Sequence, residues 1–223
     1  MSGRLTFRER RVCDGLLLVA LLMPLPAAAH PHGWVDYRVT LHFDDQAHVV
    51  ALEQAWKMDP FYSLTLTEEL ARAEGEESME ERLDMLGQEI AQNLGRSNYL
   101  THVAHDGENV PLGQLRDYTT RLDGQRLEFS FIVPLAEPLA LDGSPLTWKV
   151  YDDTYYIEFL YDEDVAEPIT LRNAPEGCAS RVIAADPDPQ KVAEAAALDI
   201  DADAPGGLGR FFAEAGEVTC PAR

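Results

Sequence analysis

The residues with the most chemistry in this chain stand together near its start. His30-Pro31-His32-Gly33-Trp34-Val35-Asp36 puts two imidazoles, an indole and a carboxylate within seven positions. The run follows a segment built to be removed. Arg4, Arg8, Arg10 and Arg11 form a basic leader, Gly15 to Met23 is an uncharged apolar run, and Pro24-Leu25-Pro26-Ala27-Ala28-Ala29 supplies the small residues that a signal peptidase needs. The expectation is a signal peptide over residues 1–29 and an exported chain that starts at His30. Cleavage there frees an amine on a histidine. Amine and imidazole of that one residue can chelate a single metal ion, and His32 can add a third nitrogen. Pro31 has no amide proton, which excludes a square-planar Cu(II) or Ni(II) site built on successive backbone nitrogens.

Further ligands must come from elsewhere. On an extended strand His32, Trp34 and Asp36 share a face, and neighbours on that face sit about 6.5–7 Å apart. One ion therefore does not take His32 and Asp36 together. Asp36 reads as a hydrogen-bond acceptor behind a ligand, or as the partner of another segment. A carboxylate such as Asp152 or Asp153, or a distant histidine, completes the set. His102 and His105 are three apart, so on a strand they face opposite sides, and His105 is the better single contributor. His42 and His48 flank a turn and read as surface residues. The candidate metal set is His30, His32, Asp36, Asp153 and His105, for zinc, nickel, cobalt or copper. All six histidines fall at or before His105, and no Gly-x-Ser-x-Gly or Gly-rich phosphate motif appears, so no catalytic residue is assigned. Asp199-Ile200-Asp201-Ala202-Asp203 opens like a calcium loop, but Ala204 stands where that loop needs glycine and Arg210 where it needs glutamate.

The elements that would position these residues are mostly strands. From His32 to Phe43, Val35, Tyr37, Val39, Leu41 and Phe43 alternate with polar residues, a half-buried strand. Asp44-Asp45-Gln46-Ala47 turns it into a second strand over 48–56, and Asp59-Pro60-Phe61-Tyr62-Ser63 breaks the pattern. Met79, Leu83, Leu86, Ile90 and Leu94 recur at helical spacing and predict a helix over 77–94 that ends at Gly95. Turn signals at Asp106-Gly107, Asp123-Gly124 and Asp142-Gly143 then punctuate strands over 116–122, 125–134, 146–151, 155–161 and 169–172. A short helix over 189–198 closes the reading. The fold class is α+β: mainly antiparallel β and sandwich-like, with one main inserted amphipathic helix and a disulfide-tethered C-terminal tail. Residues 30–223 form a single exported domain, with a core over 30–178 and an Ala-, Asp- and Pro-rich tail over 179–223.

Composition limits the partners. Cleavage takes away four arginines and two acids and leaves 194 residues with 14 basic against 37 acidic side chains, a formal −23. Such a surface repels phosphate backbones and anionic headgroups, which argues against nucleic acid. The apolar leader is too short to span a bilayer, so no membrane insertion is expected after cleavage. Cys178 and Cys220 are the cysteines that remain, and in an exported chain two thiols pair.

Taken together, His30 to Asp36, Trp56-Lys57-Met58-Asp59-Pro60-Phe61-Tyr62-Ser63 and Tyr151-Asp152-Asp153-Thr154-Tyr155-Tyr156-Ile157 resemble the bacterial exported proteins of domain-of-unknown-function family 1007. Asp153 departs from the Asp-Pro that members often carry there. The resemblance implies a periplasmic accessory of an ABC-type or nickel/cobalt transport system, partnered by an inner-membrane transporter or permease. It carries the family's His-Pro-His over to His30 and His32 and its aspartates to Asp36, Asp59 and Asp153. The leading expectation is a periplasmic metal-binding or chaperone protein rather than an enzyme. A redox enzyme holding copper on His30, and a metal-free interaction module built on Trp34, Trp56, Phe61, Tyr155 and Tyr156, are the competing readings.

Overall fold

The computed structural model of the chain describes residues 31–198 and 206–222, and there the first alternating segment is a strand, β1 (Gly33–Phe43). Val35, Tyr37, Val39, Leu41 and Phe43 are buried, and the residues between them are not. The turn that follows is fixed by Asp44, whose carboxylate accepts from the backbone N–H groups of Gln46 and His48. It returns the chain antiparallel into β2 (Val49–Met58).

What the sequence presents as a break at Asp59-Pro60 is a helix start. The Asp59 carboxylate accepts from the N–H groups of Phe61 and Tyr62, and Pro60 takes the first helical position, where a missing donor costs nothing. The fold therefore gains α1 (Pro60–Arg72) beside the expected α2 (Met79–Leu94). Ser78 and Glu81 close a reciprocal capping box that starts α2 at Met79, two residues after the expected start at 77.

Strands β3 (Thr101–His105), β4 (Glu108–Asn109), β5 (Arg116–Asp123), β6 (Arg126–Leu139) and β7 (Leu146–Val150) come next. After them come β8 (Ile157–Tyr161), β9 (Ile169–Arg172), β10 (Ala179–Ile183), α3 (Pro189–Ala196) and β11 (Ala215–Thr219). One sheet runs β5-β6-β2-β1-β8, with β9 following β8 along the same edge of β1, and the other runs β10-β11-β7-β3-β4. The pairing is antiparallel except along that edge, where β8 and β9 both run parallel to β1. Parallel pairing needs a crossover connection, and here the helices and five strands between β2 and β8 supply it. Tyr37, Leu52, Phe131 and Phe159 of the first sheet share one core with Val103, Leu146, Trp148 and Val218 of the second, the arrangement of a β-sandwich.

The C-terminal stretch does more than hang from a disulfide. It supplies β10 and β11 to the second sheet, and Val218 is fully buried. The Cys178–Cys220 bond joins the residue before β10 to the residue after β11. No helix among the described residues is long and apolar enough to cross a membrane.

Candidate functional site at the start of the first strand

Three segments that are distant in sequence meet where β1 begins. The register Val35↔Met58 brings the end of β2 beside the start of β1, and the Asp59 N–H donates to the Trp34 carbonyl at 3.1 Å. The loop between β7 and β8 reaches the same corner because β8 joins β1 in the register Gly33↔Ile157. His32 is held there twice. Its N–H donates to the Tyr156 carbonyl at 2.9 Å, and its ring stacks on that of Tyr156 with centroids 4.5 Å apart.

Asp152 builds the loop that presents Tyr156. One carboxylate oxygen accepts from the Thr154 N–H at 3.1 Å, and the other from the Thr154 hydroxyl at 2.8 Å and the Tyr156 N–H at 2.8 Å. Tyr155, at φ 57°, turns inward and is buried, while Tyr156 turns outward. Gly209 presses on the loop from behind: a Cβ there would lie 1.9 Å from the Asp152 carbonyl oxygen, so only glycine fits.

Asp59 faces the strand start as well as capping α1. With one oxygen on the helix N–H groups, the other lies so near Gly33 that a Cβ at that position would be 2.9 Å from it. Asp36 has a different role. Its carboxylate is 2.6 Å from the Arg126 guanidinium, which also donates to the Lys57 carbonyl at 2.9 Å. Arg126 thus ties β1 to the end of β2, and Asp36 is its counter-charge. Trp34, on the same face between His32 and Asp36, is 43% exposed.

The remaining candidates are engaged with other groups. His105, at the end of β3, points Nε2 at the Leu141 carbonyl, 3.3 Å away, in the second sheet. Asp153 accepts from the Gly209 N–H through its main-chain carbonyl. Its carboxylate acts on His102, which stacks on Tyr151 at 4.2 Å. Burial pushes the His102 imidazole below its usual range, against the opposing pull of Asp153. His42 pairs with Glu53 at 2.7 Å and His48 with Asp44 at 3.3 Å. Among the described residues no three His, Cys, Asp or Glu side chains converge in a group able to hold a metal ion. His30, residues 1–29 and the Asp199–Asp203 run lie outside the described residues. The sequence reading did not include Arg126 or Tyr156 in the site. Tyr156 is marked by its own motif, whereas nothing near Arg126 in the chain points to β1.

A family model described as a protein of unknown function (DUF1007) matches residues 15–220. A protein of Haemophilus influenzae named only as uncharacterized is 23% identical over 186 residues, covering 82% of this chain and 86% of its own length.

Proposed function

This chain belongs to the DUF1007 family, and on that premise we propose that it is an exported carrier whose processed N-terminus binds one divalent transition-metal ion. The cargo is nickel, cobalt, zinc or copper, passed to or from a transporter in the inner membrane. The observation that supports this most is the anchoring of His32 by a main-chain hydrogen bond and by the Tyr156 ring. An ordered His32 lies two positions from the amine and imidazole that cleavage after Ala29 would create at His30. Little further chain ordering then separates the three nitrogens from a common ion. Asp59 stands at the same corner as a carboxylate for a fourth position.

The ligand set is narrower than the sequence expectation. Asp36 answers Arg126, and taking it for a metal would leave a half-buried guanidinium without its charge. The Asp153 carboxylate acts on His102, and His105 faces the Leu141 carbonyl. Three nitrogens and an exposed corner suit a carrier that must release its ion, and the disulfide suits an oxidising compartment. The proposed role is transport, not catalysis.

Native mass spectrometry of the naturally processed protein, titrated with Zn(II), Ni(II), Co(II) and Cu(II), tests this directly. The expected result is a chain that begins at His30 and retains one ion, and a His30→Ala/His32→Ala variant that retains none. Equal retention by both proteins would remove the N-terminal site. Copper will bind tightest at any such nitrogen site, so the cargo is assigned by competition at limiting metal.

A further inference from the structure

The outer face of the second sheet carries a groove of about 590 Å³, within the range of ordinary ligand sites. Val103 and Trp148 are buried in the core, so His102, Ala104, Thr147 and Lys149 point the other way, paired across the strands as His102↔Lys149 and Ala104↔Thr147. Ala215 stands beside Lys149 on β11. The small side chains of Ala104 and Ala215 keep the floor low, and the walls are the His102–Tyr151 ring stack and Arg210 with Phe211.

Charge marks this groove. Elsewhere on the sheets Arg38, Lys57, Arg126 and Arg181 each hold a carboxylate. Lys149 instead donates to the Arg210 carbonyl at 3.1 Å, and the Arg210 guanidinium lies over the Phe211 ring, 4.7 Å from its centroid, with no carboxylate in ion-pair contact with either among the described residues. An ammonium has three donors, so two of those on Lys149 are left. Burial alone pushes it below its usual range. On a chain of formal charge −21 such cations are the exception, and an anion from outside supplies what the protein does not. The Asp153 carboxylate acts on His102 and Tyr151, which sets a direction: charge at Lys149 and Arg210, and the rest of the ligand towards Thr147.

We propose that this groove binds a small organic monocarboxylate, its charge on Lys149 and Arg210 and its apolar body along Ala104 and Thr147. A single charge suits it, because a polyanion would meet the field of the whole acidic chain. The site uses none of His30, His32 and Asp59, so it stands or falls apart from the metal reading.

Isothermal titration calorimetry of the full chain in metal-free buffer tests this, with phenylacetate and hexanoate each set beside its own neutral amide. The expected result is saturable binding of a carboxylate at least about tenfold tighter than of its amide, the value of a charged hydrogen bond. Lys149→Gln should weaken that binding by about tenfold or more. Arg210→Gln, at an exposed side chain, should weaken it by about three- to fivefold. The proposal is overturned if neither carboxylate saturates, if an amide binds as tightly as its acid, or if affinity is unchanged in either folded variant. Binding that appears only after Asp199, Asp201 and Asp203 are replaced by Asn would also overturn it, because the chain's own acidic run would then be what answers the two cations. Thermal midpoints show whether the variants are folded, and Arg210→Gln decides the matter if Lys149→Gln is not.

Discussion

Single side chains in this molecule are often set by partners far along the chain, and that limits what the sequence reveals. Asp36 reads as a ligand or an acceptor on local grounds, since its strand and its face are correct, but Arg126 arrives from the far side of a hairpin and settles its role. Asp152 and Asp153 are adjacent and alike in sequence. Only the fold shows that Asp152 spends its carboxylate on the loop backbone while Asp153 acts on His102. A carboxylate that a distant neighbour also perturbs has a measurable pH signature. Glu158 accepts from the Tyr155 hydroxyl at 3.1 Å, but burial raises its carboxyl above the usual range, and the nearby Glu214 carboxylate adds to the effect. Below the ordinary carboxyl range both folded and unfolded chains hold the proton and no penalty exists. As pH rises the unfolded chain ionises first, so the folded state loses stability until its own raised pKa is passed. Glu158→Gln should therefore match the parent near pH 3.5 (roughly) and exceed its thermal midpoint increasingly towards neutrality. A midpoint difference that stays constant with pH would show that this carboxylate is not under strain.

At the scale of elements, the sequence is most legible where one face is buried and the other is not. The alternation from Val35 to Phe43 and the stripe from Met79 to Leu94 both appear as drawn, because period two and period 3.6 leave different marks. α1 was hidden for a physical reason. Its large apolar residues Phe61, Tyr62 and Leu64 are exposed, Phe61 at 79%, and Ser63 is its buried residue, so it has little stripe to read. Its signal was the cap instead of the stripe, an Asp before a Pro. Asp59→Ala should cost about 1 kcal/mol in chemical denaturation, and Asp59→Asn much less, because the amide oxygen can still accept from the two N–H groups. The carboxylate also faces Gly33, so metal retention by the two variants separates its two uses: if it serves as a ligand, Asn weakens the ion while sparing the fold.

For the whole molecule, the tail was harder to place than the core, because β10 and β11 are only five residues each and the stretch that joins them is rich in Ala, Asp and Pro, with almost no periodic signal. Its covalent closure is nevertheless a feature of the second sheet. Replacing both Cys178 and Cys220 by alanine should cost about 3–4 kcal/mol by denaturant unfolding under oxidising conditions, from the freedom returned to the unfolded loop. A loss below about 1 kcal/mol would mean that β10 and β11 hold the segment without help. The parallel edge of β1 has a consequence for how the chain must be made. A polypeptide emerges N-terminus first, and β1 and β2 can close on each other at once. The other edge of β1, however, waits for residues 157–172, more than a hundred positions later. Until they arrive, the strand that becomes an interior member of the sheet is a bare row of N–H and C=O groups above a buried-to-be apolar face, open to pairing with a second nascent chain. Synthesis and folding of this protein are therefore in a race, and its yield should depend on how crowded that interval is.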